Sequence, residues 1–329
     1  MSVPMISTGF GDLVDRRITK IFYDEYDQLP DVVPILFGMD NSSDQYETVS
    51  AVGALQDFSQ FTGQVQYQDQ NQGYDVTATH IEFASGIQIE RALYDDDRHG
   101  IWESRPVDLA QAANRTRQKH AARVFVNASS VDTFFYRNTE NVALVSDSHT
   151  TTSGASTAAG FDNMATTAFS AAALLAAVIQ AKGFRDDQAN RISVSMDELW
   201  IPVDLYGTAF EVIESFGKTA SANNERNVHY GGYKIMPSEG GWNYMSDATD
   251  WFLCDSKGRK KNLTWYDRVP LEFAQAEDID TLVAKWRAYM RYSYMHRDWR
   301  WVLGSIVSFC AHAGCTATSK TRIPKMKVE

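Results

Sequence analysis

The feature that most constrains the fold is an alanine-rich stretch of about twenty residues that follows Pro106. From Val107 to about Asn127 small and basic residues recur, and these are Ala110, Ala112, Ala113, Arg115, Arg117, Lys119, Ala121, Ala122 and Arg123. Proline is favoured in the first turn of a helix, where its missing N–H costs little. The pattern predicts a helix of about six turns that lies closely on a sheet and exposes its basic side chains. An ordinary solvated face explains those cations better than a specific anion site.

Upstream of this helix, Ser59–Arg91 has the alternation of β-strands. Polar and apolar residues alternate in Gln64–Tyr67, Thr79–Phe83 and Ile87–Glu90, and the polar turn Asp69–Gly73 separates the first two runs. We predict a long hairpin with a polar tip. Because an isolated two-stranded ribbon is marginally stable in water, this hairpin should project from the body and need a partner surface.

Residues 1–55 lack a long period of either kind and contain Pro4, Pro30 and Pro34. We interpret them as an extended arm with one short helix, Gly11–Tyr23. An arm of this kind buries little of itself, so it should lie on its own chain or on a neighbour.

The second half mixes helices and strands. Ser146–Gly160 has the composition of a loop. The next helix carries the apolar stripe Phe169, Leu174, Leu175 and Val178 and ends near Gly183. The other predicted elements are a strand over Arg191–Pro202, a helix over Asp204–Ser215, and strands over Tyr233–Met236, Trp251–Cys254 and Val302–Phe309. This order indicates an α+β fold.

Composition excludes several classes of protein. Hydrophobic residues make up 44% and charged residues 22% of the chain, which is typical of a folded globular protein. A formal net charge of -11 argues against tight general binding to nucleic acid. Three cysteines indicate no disulfide framework and favour a reducing place of folding. The N-terminus lacks a secretory signal, and the longest apolar run, Ala168–Ile179, is shorter than the ~20 residues that span a bilayer.

Four patterns could be mistaken for functional sites. Cys310, His312 and Cys315 offer three zinc ligands without a fourth, so free thiols are favoured. Ser146–His149 places triad residue types side by side, whereas real triads converge from distant parts of a chain. Asp95–Asp97 could bind a divalent cation, but a solvated turn is the simpler interpretation. The aromatic and basic stretch Trp286–Trp301 suggests a core strand pair more than a platform for stacking nucleic-acid bases.

The order of these elements resembles the HK97-fold major capsid proteins of tailed bacteriophages, and in particular the group similar to the major head subunit of Mu-like phages. The stretches that carry the resemblance are Phe169–Leu174, Met196–Pro202, Ala209–Ser215, Asn227–Tyr230, Asp250–Leu253, Ala288–Met290 and Arg297–Trp301. The match spans roughly residues 55–310. It rests on several weak matches in the right order.

The resemblance implies an HK97-like α+β fold in four parts. They are an N-terminal arm (1–55), an extended loop formed by a β-hairpin (56–93), a peripheral domain with a long spine helix (94–165, completed by about 265–329) and an axial domain (166–264). The extended loop would lie across an adjacent subunit, which makes Tyr67, Asp69, Gln72 and Tyr74 the candidate interface residues. No catalytic residue, cofactor or metal is expected.

The function implied is a structural major capsid protein that assembles as pentamers and hexamers into an icosahedral shell around double-stranded DNA. Scaffold, portal and possible decoration proteins would be separate partners, the DNA would be contacted weakly, and no membrane is involved. Assembly would occur in the host cytoplasm and the product would be the virion. Because Ser59–Arg91 contains no lysine, we expect a shell without isopeptide bonds. Two alternatives stay open, an encapsulin-like nanocompartment shell and an α+β enzyme with an unrecognised site.

Overall fold

The computed structural model describes residues 11–65, 67–90, 101–217, 225–238, 240–278 and 283–307. Its helices are α1 (Gly11–Gln28), α2 (Val33–Leu36), α3 (Ile101–Val126), α4 (Ala171–Ala181), α5 (Tyr206–Glu214) and α6 (Ser256–Asn262). Its strands are β1 (Gly38–Asn41), β2 (Tyr46–Val52), β3 (Gln72–Thr79), β4 (Ile81–Glu90), β5 (Tyr136–Asn138), β6 (Met164–Ala165), β7 (Glu198–Trp200), β8 (Lys234–Met236), β9 (Trp251–Cys254), β10 (Leu263–Asp278), β11 (Val283–His296) and β12 (Val302–Ser305).

The strands form three sheets. The first has the order β1-β10-β11-β4, the second β6-β12-β9-β7-β8, and the third β2-β3-β5. In the first sheet the long strands β10 and β11 are antiparallel, and β4 extends the sheet on the far side of β11. This mixture of helices and mostly antiparallel strands is the α+β class predicted from the sequence.

The long helix α3 is present, but it begins at Ile101 rather than after Pro106. Pro106 therefore lies inside the helix, where a missing N–H removes one backbone bond near the start without ending it. The small residues face inward as predicted, and Ala110, Ala113 and Ala121 are buried.

The basic side chains of α3 are less exposed than the sequence suggests. Arg117 forms ion pairs with Asp267 at 3.3 Å and with Asp31 at 3.6 Å. Arg123 is held by Asp132 at 2.8 Å. Two of the four cations therefore fix α3 to neighbouring segments, and a uniform solvated face was the wrong interpretation for them.

The N-terminal helix is longer than the predicted Gly11–Tyr23, since α1 continues to Gln28. It packs against α3 and β10, and its Ile18 and Phe22 are buried. Phe22 stacks on Phe273 of β10 with ring centroids 4.6 Å apart. The apolar side of α1 thus lies on the body of its own chain, one of the two places expected for the arm.

The predicted hairpin is wrong in its first strand. Gln64–Tyr67 forms no strand in its described residues, and the partner of β3 is β2, with Tyr46 opposite Thr79. The predicted strand Thr79–Phe83 is interrupted at His80, which is buried between the Ser42 and Ser293 hydroxyls at 2.9 and 2.8 Å. Local alternation gave no information on which distant strand would supply the backbone partner.

Two other strands are shorter than predicted. In Arg191–Pro202 only β7 joins the sheet, because those three residues lie between β8 and β9. Strand β12 ends at Ser305, and Phe309 lies outside the described residues. The loop over Ser146–Gly160 and the helices α4 and α5 are confirmed.

The main core lies under the second sheet and the adjoining ends of β10 and β11. The predicted aromatic strand pair is confirmed, since Trp265, Tyr292 and Tyr294 are buried and stack on one another. Helix α4 is capped by Ser170, whose hydroxyl accepts a hydrogen bond from the Ala173 N–H, and its Leu174 packs in the core under the second sheet. Leu175 of the predicted stripe is exposed instead.

Candidate assembly surface

In the described part of the chain, the most exposed apolar segment is the β2–β3 loop, residues 53–71. None of its described residues belongs to a helix or strand. Phe58 and Tyr67 are each 94% exposed, and Phe61 is 70% exposed. Contiguous exposed apolar surface on a soluble chain marks a place where another surface binds.

The root of this loop is fixed to the body. The Gly53 N–H donates to the Asn71 carbonyl at 2.8 Å, which closes the neck of the loop. The Ala54 N–H donates to both carboxylate oxygens of Asp187 at 2.9 and 3.0 Å. A Cβ on Gly53 would stand 2.8 Å from the Asn71 carbonyl oxygen and 2.8 Å from Asp187, so glycine is required where these segments meet.

The four predicted interface residues divide into two groups. Tyr67 and Asp69 lie exposed on the β2–β3 loop. Gln72 and Tyr74 belong to β3 at the loop root, where the Tyr74 hydroxyl is 2.7 Å from the Thr150 hydroxyl. The structure therefore leaves the first pair exposed and engages Tyr74 within its own chain.

Behind the root lies a buried polar pair that sequence reasoning missed. Glu140 accepts hydrogen bonds from the Thr150 N–H at 2.9 Å and from His149 Nδ1 at 3.1 Å, and the His149 ring stacks on Trp299 with centroids 4.2 Å apart. Burial alone would raise the pKa of the Glu140 carboxyl, but the hydrogen bond and charge of His149 hold that pKa below its usual value. The pair thus anchors the segment that carries Thr150.

The contacts of His149 also show what the side-by-side residues Ser146–His149 do. His149 uses its second nitrogen on the Asn163 amide oxygen at 3.2 Å, while the Ser146 and Ser148 hydroxyls bond to each other at 3.3 Å. Among the described residues no serine hydroxyl is hydrogen-bonded to His149. The arrangement orders a loop and does not activate a serine.

A second exposed apolar surface lies on the outer face of α4. Ala172, Leu175 and Ile179 are exposed there at helical spacing. The turn that follows Asn227 abuts the start of α4, with His229 Nε2 3.0 Å from the Ala171 carbonyl oxygen, and it exposes Val228. This surface adds to the exposed apolar area of the chain.

Metal and membrane sites are not evident in the described part of the chain. No group of three metal-ligating side chains occurs among the described residues, and no helix there is long and apolar enough to cross a bilayer. The candidates Cys310, His312, Cys315 and Asp95–Asp97 lie outside the described residues. Cys254 is buried, and burial raises the pKa of its thiol.

The family of this chain is shown by the match of a family model to its sequence. The model of a family described as phage capsid protein matches residues 73–304, more than two thirds of the 329 residues. The chain belongs to the phage capsid protein family. The match begins at the loop root in β3 and ends in β12, so it includes strands of all three sheets of this capsid protein but not β1 or β2.

Solved structures show the same fold. The mature capsid of bacteriophage PhiM1 matches with a TM-score of 0.50 at 10% identity, over 82% of this chain and 84% of that one. The capsid of a native GTA particle also gives 0.50, at 13% identity over 83% and 89%. The bacteriophage JBD30 capsid gives 0.44 at 10% identity over 84% of this chain, which spans 65% of the JBD30 chain. No curated protein sequence matches. The two matches at 0.50 show that the capsid protein has the HK97-like α+β fold expected from the sequence.

Proposed function

We propose that this structural capsid protein is the major head subunit of a tailed phage and forms its shell as pentamers and hexamers in an icosahedral lattice around double-stranded DNA. The observation that carries the proposal is the β2–β3 loop, which exposes Phe58, Phe61 and Tyr67 although its root is fixed to the body. Obligate assemblies bury large apolar interfaces that a free subunit leaves open. A closed shell covers every such loop at once, because each copy meets an equivalent neighbour.

The domain assignment follows the same logic. We assign an arm to 1–55, the extended loop to 56–93, the peripheral domain to 94–165 with 265–329, and the axial domain to 166–264; positions 66 and 91–93 of the extended loop lie outside the described residues. Helix α3 would be the spine of the peripheral domain. The exposed face of α4 would then lie in the axial domain, toward neighbours in the same capsomer.

The remaining partners come from the role of a shell protein. We propose separate scaffold, portal and decoration proteins, assembly in the host cytoplasm, and a place in the virion, in the group similar to Mu-like head subunits. The net charge of -11 favours weak, non-specific contact with packaged DNA. The absence of lysine in Ser59–Arg91 favours noncovalent interfaces. Ladders of covalent multimers on denaturing electrophoresis of assembled shells would contradict that last point.

An encapsulin-like compartment would share the fold, but the match to the phage capsid family favours the phage shell. An α+β enzyme is the other alternative. It would be supported by turnover in the purified, unassembled monomer.

The test is electron microscopy of the concentrated protein with size-exclusion chromatography in the same buffer. We expect closed shells, or rings of five and six subunits. A double variant, Phe58→Ser with Phe61→Ser, should raise the concentration needed for assembly at least tenfold, since a buried aromatic anchor contributes about 2 kcal/mol or more. The matched control is Gln60→Ser with Gln64→Ser, two exposed polar positions of the same loop, which should assemble normally. A persistent monomer under all salt and pH conditions would contradict the proposal.

A further inference from the structure

Charge is distributed very unevenly along this chain. Residues 21–90 contain twelve acidic residues and not one lysine or arginine. The segment therefore carries a formal charge of -12, which leaves +1 for the rest of a chain whose total is -11. Every cation that could meet this acidic segment therefore comes from outside it, and all but Arg16, Arg17 and Lys20 lie in residues 91–329.

The β2–β3 loop carries two of these acids beside its exposed aromatic residues. Asp57 adjoins Phe58, and Asp69 lies two residues after Tyr67. Both carboxylates are exposed, and neither forms an ion pair within the described part of its own chain. The loop thus presents two negative charges and an apolar surface together.

Among the described residues, the densest group of uncompensated cations lies on α6, which joins β9 of the second sheet to β10 of the first. Lys257, Lys260 and Lys261 are all exposed within its seven residues, and none is ion-paired within the described ranges. The fourth cation of α6, Arg259, points inward, where the Glu198 carboxylate neutralises it at 2.8 Å. The outer side of α6 therefore carries three positive charges, and we call Lys257, Lys260 and Lys261 the α6 lysines.

A second exposed basic row lies on α3, beside the acidic end of α1. Helix α1 packs along α3 and brings acidic residues to it, with Gln111 of α3 donating to the Glu25 carboxylate at 2.9 Å. Arg115 and Lys119 are exposed on α3 one helical turn apart, whereas α6 exposes three lysines within five residues and therefore carries the denser positive charge. This difference selects α6 over α3 as the surface for a foreign anion.

We infer that the β2–β3 loop of one copy docks with Asp57 and Asp69 on the α6 lysines of a neighbouring copy. The inference rests on the proposed shell function and adds to it the patch that receives the loop. Two different surfaces of one chain meet head to tail, the geometry that closes into rings. Opposite charge at such a contact steers the approach of the subunits and fixes their register, while the adjacent aromatic residues supply the buried area.

The test uses charge reversal in the full-length chain. Asp57→Lys with Asp69→Lys, and separately Lys257→Glu with Lys260→Glu, should each slow assembly at low salt by about tenfold or more, the range of electrostatic steering, as followed by light scattering. The deficit should shrink as salt rises and the Debye length falls to about 3 Å at 1 M. The matched control is Lys182→Glu with Lys234→Glu, two exposed lysines elsewhere that give the same change in net charge as the α6 variant. Circular dichroism melting of each variant checks that it is folded.

Mixing the two reversed variants identifies the contact as one between copies. Each variant alone has a like-charged loop and α6, but in an equimolar mixture a lysine-bearing loop can meet a glutamate-bearing α6, and the wild-type pair can meet in the other direction. We expect the mixture to assemble within about threefold of the wild-type rate, well above either variant alone. A mixture no faster than its parts, or a control as slow as the α6 variant, would overturn the inference while wild-type shells still supported the proposed function. Failure of the wild type itself to assemble would instead contradict the proposed function.

Discussion

The first sheet and the β2–β3 loop use the same kinds of residue in opposite ways. In the sheet Trp265, Tyr292 and Tyr294 are fully covered, with Trp265 and Tyr292 stacked at 4.7 Å. In the loop Phe58 and Tyr67 are almost entirely open. Burial of an aromatic side chain stabilises a fold, while exposure stabilises nothing until a partner arrives. The difference separates residues that fold the subunit from residues that assemble it.

The largest expected effect is on folding stability, and it comes from a substitution in the core of the first sheet. Trp265→Ala removes a buried ring that Phe37, Tyr292 and Tyr294 surround. We expect the free energy of unfolding to fall by about 3 to 5 kcal/mol, because a large cavity forms in a close-packed region. Urea denaturation of the unassembled protein measures this value. A loss below about 1 kcal/mol would show that the sheet core is not a main source of stability.

Acid should weaken the same core. Burial, together with the charge of the nearby His149, lowers the pKa of His296 to about 4. In the unfolded chain a histidine titrates near about 6.5, so the unfolded state binds more protons between these two values. Stability is therefore fully present above about pH 6.5 and is lost as pH falls toward about 4.

The check on this acid effect is His296→Gln, followed by urea denaturation across the same pH range. The variant should show a shallower loss of stability on acidification than the wild type. Equal slopes would assign the acid sensitivity to other groups. His120 is one such group, since burial lowers its pKa to about 4 as well.

These core features were the more predictable part of the chain. The alternation over Trp286–Trp301 and the alanine pattern of α3 are local signals, because a strand or helix repeats its buried positions within a few residues. The buried Glu140–His149 pair was not predictable in this way. Glu140 and His149 lie nine residues apart in irregular segments, and only the fold brings Trp299 against the histidine ring.

The β2–β3 pairing shows the same limit. Strand β2 alternates half-buried and exposed residues, yet its sequence lies among prolines and polar residues that suggested an arm. Gln64–Tyr67 alternates just as regularly and forms no strand in its described residues. Which run pairs with β3 depends on contacts such as the Thr48 and Thr77 hydroxyls at 3.0 Å, which join residues 29 positions apart. Long-range pairing is not encoded in a local period.

A smaller effect should follow from loosening the loop root, which fixes the β2–β3 loop to the body. Asp187→Ala removes the carboxylate that accepts from the Ala54 N–H. We expect a loss of about 1 to 3 kcal/mol in unfolding free energy, since a charged hydrogen bond at a part-buried site is removed. Amide hydrogen exchange at residues 53–56 should rise, while exchange in β10 stays unchanged. Equal exchange changes in both regions would mean that the root is not an independent unit.

The smallest expected effect on stability is at the loop tip, and it sharpens the comparison most. Phe58→Ser should change the unfolding free energy of the free subunit by less than about 0.5 kcal/mol, because its ring contacts almost nothing that folding covers. The same substitution should weaken assembly, where the ring would be buried against a neighbour. Tyr294→Ser supplies the opposite case, with large loss of folding stability at an aromatic position of comparable size. If Phe58→Ser destabilised the monomer as strongly as Tyr294→Ser, the loop would be a part of the subunit core, and its exposed aromatic residues would no longer argue for a contact between subunits.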